Sequence, residues 1–187
     1  CGIQDIAVVR GYRKETVSAP GVRWYDNDAF EETGELASLF AAEPELRGRF
    51  LFLYSDILFE RSVLEKVLRA PGDIVLAVDR AWIDQRDRLL PLAKPVDLVI
   101  TADAPQPSHR SLGDEGSDRL LRIGEHLPPD TATGEFIGLA AFSAHGADLL
   151  REAYARVRQA SRAPFHEATS VWTAAFTDMI QRLVDEV

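Results

Sequence analysis

The sequence predicts an α/β protein, a three-layer α/β sandwich with a largely parallel sheet. Three observations carry this. Short apolar runs alternate with amphipathic stretches at the spacing of strand–helix–strand units for most of the chain. Two of the runs, Phe50-Leu51-Phe52-Leu53 and Ile74-Val75-Leu76-Ala77-Val78, lack the alternation of a half-wet strand and read as strands covered on both faces. Each is followed by a carboxylate, Asp56 or Asp79, so that an acidic crest is expected along one edge of the sheet, where ligands of open α/β sheets gather.

Taken in order, Ile6-Ala7-Val8-Val9 is a short strand ending at the cations Arg10, Arg13 and Lys14, which either meet phosphates or form a solvated rim. Val22-Arg23-Trp24-Tyr25 is a second strand behind the Pro20-Gly21 turn, and Asp26-Asn27-Asp28 is turn chemistry. Thr33 precedes Leu36, Leu39 and Phe40 at helical spacing, so a helix starts near Thr33 or Gly34 and its first turn offers free backbone N–H groups to an anion or a base edge. After the run at 50–53, residues 61–69 place Val63, Leu64, Val67 and Leu68 on one helical face, closed by Pro71-Gly72. Strands follow at 74–78, 96–101 and 120–123, the last two separated by a polar loop at 104–118 that is long enough to be either a lid or simply floppy. A further strand at 134–142 is opened by Glu135 and interrupted by Gly138, where a close approach is expected. Residues 143–158 form an amphipathic helix, and a last helix begins at Thr169 or Ser170 and carries Trp172, Phe176, Met179, Ile180 and Leu183.

The whole chain bounds its chemistry. With 187 residues and 46% apolar content it is one domain with a proper core. Thirty acidic against 21 basic residues leave a net charge of −9, which argues against a phosphate-tracking nucleic-acid surface. The one cysteine, Cys1, permits no internal disulfide, and no leader or 18-residue apolar span is visible, so a reducing, cytoplasmic setting with no membrane partner is expected. The chain enters a strand almost at once and stops inside a helical pattern. Both ends of the native domain are therefore expected to lie outside residues 1–187.

Several chemistries are set aside. Neither a Walker-type phosphate loop nor a dinucleotide fingerprint is present. His109, His126, His145 and His166 lack metal-ligand spacing, and Ser143 near His145 lacks a nucleophile elbow.

The order and spacing of Ile6-Ala7-Val8-Val9-Arg10-Gly11-Tyr12, Glu32-Thr33-Gly34-Glu35-Leu36-Ala37-Ser38-Leu39, Leu53-Tyr54-Ser55-Asp56-Ile57-Leu58-Phe59 and Thr177-Asp178-Met179-Ile180 resemble the nucleotidyltransferase superfamily that activates sugar phosphates, phosphocholine and phosphonates. Ala77-Val78-Asp79-Arg80-Ala81-Trp82 and Gly134-Glu135-Phe136-Ile137-Gly138 lean toward the phosphocholine and phosphonate cytidylyltransferases, including those linked to phosphoenolpyruvate mutase. The resemblance implies a Rossmann-like α/β/α sandwich of the glycosyltransferase-A type. It implies that Asp56 coordinates Mg2+ and that Thr33, Gly34, Glu35 and Ser38 sit beside the nucleotide. It also implies that Asp79, Trp82, Glu135 and Asp178 face the acceptor, where carboxylates and an indole suit a cationic group. The family's glycine-rich loop and a second metal-binding aspartate have no counterpart in these residues, and Gly34-Glu35 stands where the choline-type members carry Asn-Asn.

The implied reaction is transfer of a nucleoside monophosphate, CMP from CTP by preference, to a phosphate or phosphonate acceptor with release of pyrophosphate. The alternatives are a sugar-phosphate nucleotidyltransferase, a glycosyltransferase of the same fold, or a non-catalytic regulatory module that keeps the sheet without the chemistry. A homodimer or a fused partner domain is compatible with each.

Overall fold

The structure, a computed structural model, describes residues 2–82, 96–102, 118–160 and 163–186. Most of the polar loop expected at 104–118 lies outside the described residues. Strand β1 (Ile6–Arg10) pairs in parallel with β2 (Val22–Asp26) as a separate two-stranded sheet. Five strands form the main sheet, and its centre is the nine-residue β7 (Gly134–Phe142). Along one flank of β7 lies β4 (Ile74–Asp79). The other flank is shared end to end by β3 (Phe50–Leu53), opposite residues 139–142, and β5 (Leu98–Thr101), opposite Gly134 and Glu135. Beyond β5 runs β6 (Leu120–Gly124).

The three-layer reading holds. On β3, Phe50 and Phe52 point to one face and Leu51 to the other; β4 divides Ile74, Leu76 and Val78 from Val75 and Ala77 in the same way. The first face is covered by helices α1 (Glu35–Ala41), α3 (Ala144–Val157) and α4 (Phe176–Asp185), whose Leu36, Leu150, Phe176 and Met179 are fully buried. Ring stacks tie this core, with Phe52 and Phe176 centroids 4.1 Å apart and Phe50 and Phe142 4.4 Å apart. The second face is covered by α2 (Arg61–Arg69) through Leu64 and Val67.

Three expectations need correction. The pairings of the main sheet are all antiparallel among the described residues, whereas a largely parallel sheet was expected. The reason is that β3 and β4 do run the same way, joined by α2, but the returning strand β7 lies between them; apolar periodicity reports burial and carries no direction. Strand β3 is only half-buried, and Leu53 is 45% exposed, because β7 flanks it on one side only. The last helix starts at Phe176 rather than Thr169, and Ala174 and Ala175 are extended. That stretch serves α1 instead, since the carbonyls of Trp172 and Ala174 accept from the N–H groups of Gly34 (2.8 Å) and Leu36 (3.1 Å). Trp172, expected on the helix's apolar face, is consequently 45% exposed.

Candidate functional site: an acidic basin at the strand ends

Because β3 and β4 are antiparallel to β7, their carboxyl ends come to the edge where β7 begins. The register places Asp79 directly opposite Glu135. Tyr54 follows the end of β3, and its N–H donates to Gly138 O at 2.9 Å. Gly138 has φ +81, and a Cβ there would lie 2.5 Å from the Tyr54 ring, which is the close approach the strand-interrupting glycine announced. Asp56 stands exposed on the turn beyond.

Three further carboxylates reach this edge. Glu35 opens α1 and accepts the Tyr54 hydroxyl at 2.6 Å. Asp97 precedes β5 and accepts the Thr177 hydroxyl at 3.0 Å, while its own carbonyl receives the Phe136 N–H. Glu125 follows β6. Burial pushes the Asp97 carboxyl up to about 7; the Thr177 hydroxyl opposes the shift, and Glu35, Glu125 and Glu135 add to it. Burial also raises Glu125, with Glu167 and Glu35 contributing, and it raises the Tyr54 phenol far above its ordinary value, with help from Asp97 and Glu35. Burial, with neighbouring carboxylates adding to it, thus keeps the Asp97 carboxyl protonated up to near neutrality. A cation placed there relieves the repulsion from those neighbours.

The residues singled out in the sequence divide into groups. Asp79 and Glu135 face each other across the β4–β7 pair, and Glu35 and Glu135 both lie close enough to Asp97 to raise its carboxyl. Asp79 also accepts the Ala81 N–H at 2.8 Å, an Asx-turn at the strand end. Asp56 is carried to the same edge by β3. Asp178 is 6% exposed, and its two oxygens accept the N–H groups of Glu167 and Ala175, each at 2.9 Å; it organises the start of α4 and presents no free face to an acceptor. Trp82 is 5% exposed and packs with Leu98 and Leu127, so its indole is core where a cation–π lid was expected.

Thr33 and Ser38 lie on a polar knot organised by Asn27, whose Nδ2 donates to both hydroxyls at 2.9 and 3.0 Å. The N–H groups of Gly34 and Leu36, expected to be open to a nucleotide, are engaged by the carbonyls at 172 and 174. Gly34 is required by the same contact, because a Cβ would lie 2.3 Å from Ala174 O. Two of the three cations are likewise neutralised from within, and Arg13 lies 5.2 Å over the Tyr12 ring. Arg10 bonds Asp26 at 2.9 Å and lies 4.7 Å over the Trp24 ring, and Lys14 pairs with Asp26 and Asp28.

The sequence reading passed over Asp97, Glu125, Tyr54 and Thr177. Asp97 left a signal, a lone carboxylate inside the apolar run Val96-Asp97-Leu98-Val99-Ile100. Glu125 repeats the pattern of Asp56, an acid just past a strand end. Among the described residues no group of three or more His, Cys, Asp or Glu side chains is placed to hold a metal ion.

Comparison of the whole fold places it. The chain superposes over its full length on the inositol-1-phosphate CTP transferase from T. maritima, with a TM-score of 0.64 and 17% sequence identity, and covers 64% of that protein's chain. The folds are the same. This chain therefore spans just under two thirds of the transferase it matches, and its Rossmann-like α/β sandwich is that of the T. maritima transferase. No family model and no curated protein matches the sequence. Among the described residues no helix is long and apolar enough to cross a membrane.

Proposed function

We propose that the chain is the central part of a nucleotidyltransferase that moves a nucleoside monophosphate, CMP by preference, from its triphosphate to a phosphate or phosphonate oxygen of an acceptor carrying a cationic group. The observation that supports this reading is the placement of carboxylates at the carboxyl ends of two parallel-running strands, Asp56 after β3 and Asp79 at the end of β4 opposite Glu135, with Glu135, Glu35 and Glu125 acting on the buried Asp97. The structural neighbour's activity as a CTP transferase agrees with the choice of donor.

In this reaction the acceptor oxygen, ionised near neutral pH, attacks the α-phosphorus in line. The new P–O bond forms as the bond to the bridging oxygen breaks, and pyrophosphate departs with the electron pair. No general base is required, so the protein's task is to hold two anions together and to orient them. The basin does this on the acceptor side, where an ammonium group would sit among Glu35, Asp79 and Glu135. Magnesium enters as the counter-ion of the triphosphate, and Asp56 would offer it one carboxylate.

The test uses the complete gene product. Pyrophosphate release from CTP with aminoalkyl phosphate or phosphonate acceptors is measured for the parent and for Asp56→Ala. The variant is expected to lose about 10²–10³-fold in kcat/KM with an unchanged thermal midpoint. An Asp56→Ala protein as active as the parent would remove Asp56 from the reaction. Absence of any thermal stabilisation of the parent by nucleoside triphosphates with magnesium would favour a non-catalytic module, a reading that the engaged N–H groups at the start of α1 already support.

A further inference from the structure

We propose that Asp178 and Glu167 are positioning residues of the acidic basin: together they brace the turn after β6 against the starts of α4 and α1, and so fix where Glu125 and Glu35 stand relative to Asp97. The proposal rests on the reading of the basin as the acceptor's site and deepens it by naming what holds two of its carboxylates in place.

Asp178 does more than cap its helix. A carboxylate in the first turn of α4 that only capped it would need the N–H of Ala175 and nothing else. Here the second oxygen reaches back eleven residues and takes the N–H of Glu167, also at 2.9 Å, so both oxygens of a residue only 6% exposed are engaged by main-chain donors. His166, just before Glu167, has φ +50, a left-handed conformation that a residue other than glycine keeps only where its surroundings hold it. The loop is closed around this point by the paired main chains of Phe165 and Ala168, at 3.0 and 2.9 Å.

Glu167 passes the restraint on. Its two carboxylate oxygens accept the N–H groups of Glu125 at 2.8 Å and His126 at 3.1 Å, charge-assisted bonds that are stronger than neutral ones. Gly124 lies so close to the same carboxylate that a Cβ there would be 2.5 Å from Glu167 Oε1. A second bond ties β6 to α4, from the Ile123 N–H to Gln181 Oε1 at 2.8 Å. The path of the chain out of β6, and with it the place of Glu125, is therefore set by α4 and the loop before it.

The other end of the brace reaches Glu35. Ala175, held by Asp178, sits between Ala174, whose carbonyl takes the Leu36 N–H at 3.1 Å, and Phe176, whose N–H donates to Glu35 Oε2 at 3.4 Å. Glu35 and Glu125 act on Asp97, and Glu35 acts on Glu125. Carboxylates of like charge push apart unless bonds elsewhere hold them. Asp178 and Glu167 supply such bonds, and they spend their oxygens on main-chain N–H groups, which fix position.

Hydrogen exchange and acceptor kinetics of the complete gene product test this. Asp178→Asn keeps the shape of the side chain but leaves one oxygen to serve two N–H groups. Exchange at Glu125 and His126, whose amides bond Glu167 and not Asp178, is expected to speed up by about 10-fold or more. A residue that only capped α4 would loosen Glu167 and Ala175 alone. KM for an aminoalkyl phosphonate is expected to rise about 3–10-fold with kcat within about twofold of the parent, while an acceptor with a methyl group in place of the amine keeps its KM. Glu167→Gln, which leaves α4 capped, should speed the same two amides and give the same KM pattern, and it decides if Asp178→Asn does not fold. Unchanged exchange at Glu125 and His126 overturns the proposal, as does a KM that rises equally for both acceptors. A parent protein that transfers no nucleotide refutes the reaction instead, and the exchange rates then judge the brace by themselves.

Discussion

Asp97 is a carboxylate that burial shifts far from its ordinary protonation. It is packed at the start of β5 within reach of Glu35 on α1, Glu125 after β6 and Glu135 on β7, and its partner from α4 is the Thr177 hydroxyl. Its carboxyl stands at about 7 in the folded chain against 3.8 as its ordinary value. Between those two values the folded state binds more protons than the unfolded one, so stability is highest at acid pH, falls as pH rises through the window, and levels off above about 7. Glu125 and Asp178, raised by burial, act with the same sign. Asp97→Asn is expected to flatten much of this slope and to stabilise the protein at pH 8 by about 1–3 kcal/mol, since each tenfold change in proton affinity is worth roughly 1.4 kcal/mol. Urea midpoints at pH 5 and pH 8 check it. An Asp97→Asn protein that keeps the parent's slope would show that the pH dependence arises from other buried groups.

At the scale of the elements, the docking of α1 decides the geometry of the site. A seven-residue helix is too short to be stable alone, and it is held by tertiary bonds: Gly34 and Leu36 to the carbonyls at 172 and 174, and Leu36 with no exposed surface. Gly34→Ala would set a methyl against two backbone carbonyls, at 2.3 and 2.6 Å, that have no rotamer by which to yield. A loss of about 1–3 kcal/mol is expected, read as a lower urea midpoint. A neutral Gly34→Ala would mean that α1 rides away from 172–174 at little cost. The same contact explains what the sequence made legible and what it did not. The apolar runs of β3, β4 and β7, the amphipathic faces of α2 and α3 and the carboxylates ending β3 and β4 are local patterns, and they were readable. The start of α4 was misplaced because Thr169-Ser170 has the chemistry of a helix cap, while a distant partner, α1, draws the following residues into an extended path. Strand direction was misread for a related reason: β7 joins β3 to β4 from far along the chain, and nothing local marks its insertion. Asp97 and Tyr54 entered the basin through tertiary contacts that their neighbours in sequence do not encode.

The whole molecule carries −9, and the basin adds local negative charge to that field. A site of this sign treats the two proposed substrates in opposite ways. A triphosphate approaches against the field, and a cationic group approaches with it, so steering by the summed charge works for the acceptor's ammonium end and against the donor. Screening separates the two. The Debye length shrinks from roughly 14 Å at about 50 mM salt to roughly 6 Å at about 300 mM, which removes long-range attraction and repulsion alike while leaving close contacts largely intact. In the complete protein, affinity for an aminoalkyl phosphonate is therefore expected to weaken by about 3–10-fold over that range, and affinity for magnesium-bound CTP to hold steady or strengthen. The same measurement with an acceptor that keeps the phosphonate and replaces the amine by a methyl group supplies the control. Removing the cation removes the attraction to the basin, so its affinity should follow the salt trend of the triphosphate. Calorimetric titration at the two salt concentrations reads all three. If the amine and methyl acceptors respond identically to salt, the carboxylates of Glu35, Asp79 and Glu135 do not meet the acceptor's charged group, and the basin's role in choosing the acceptor is lost.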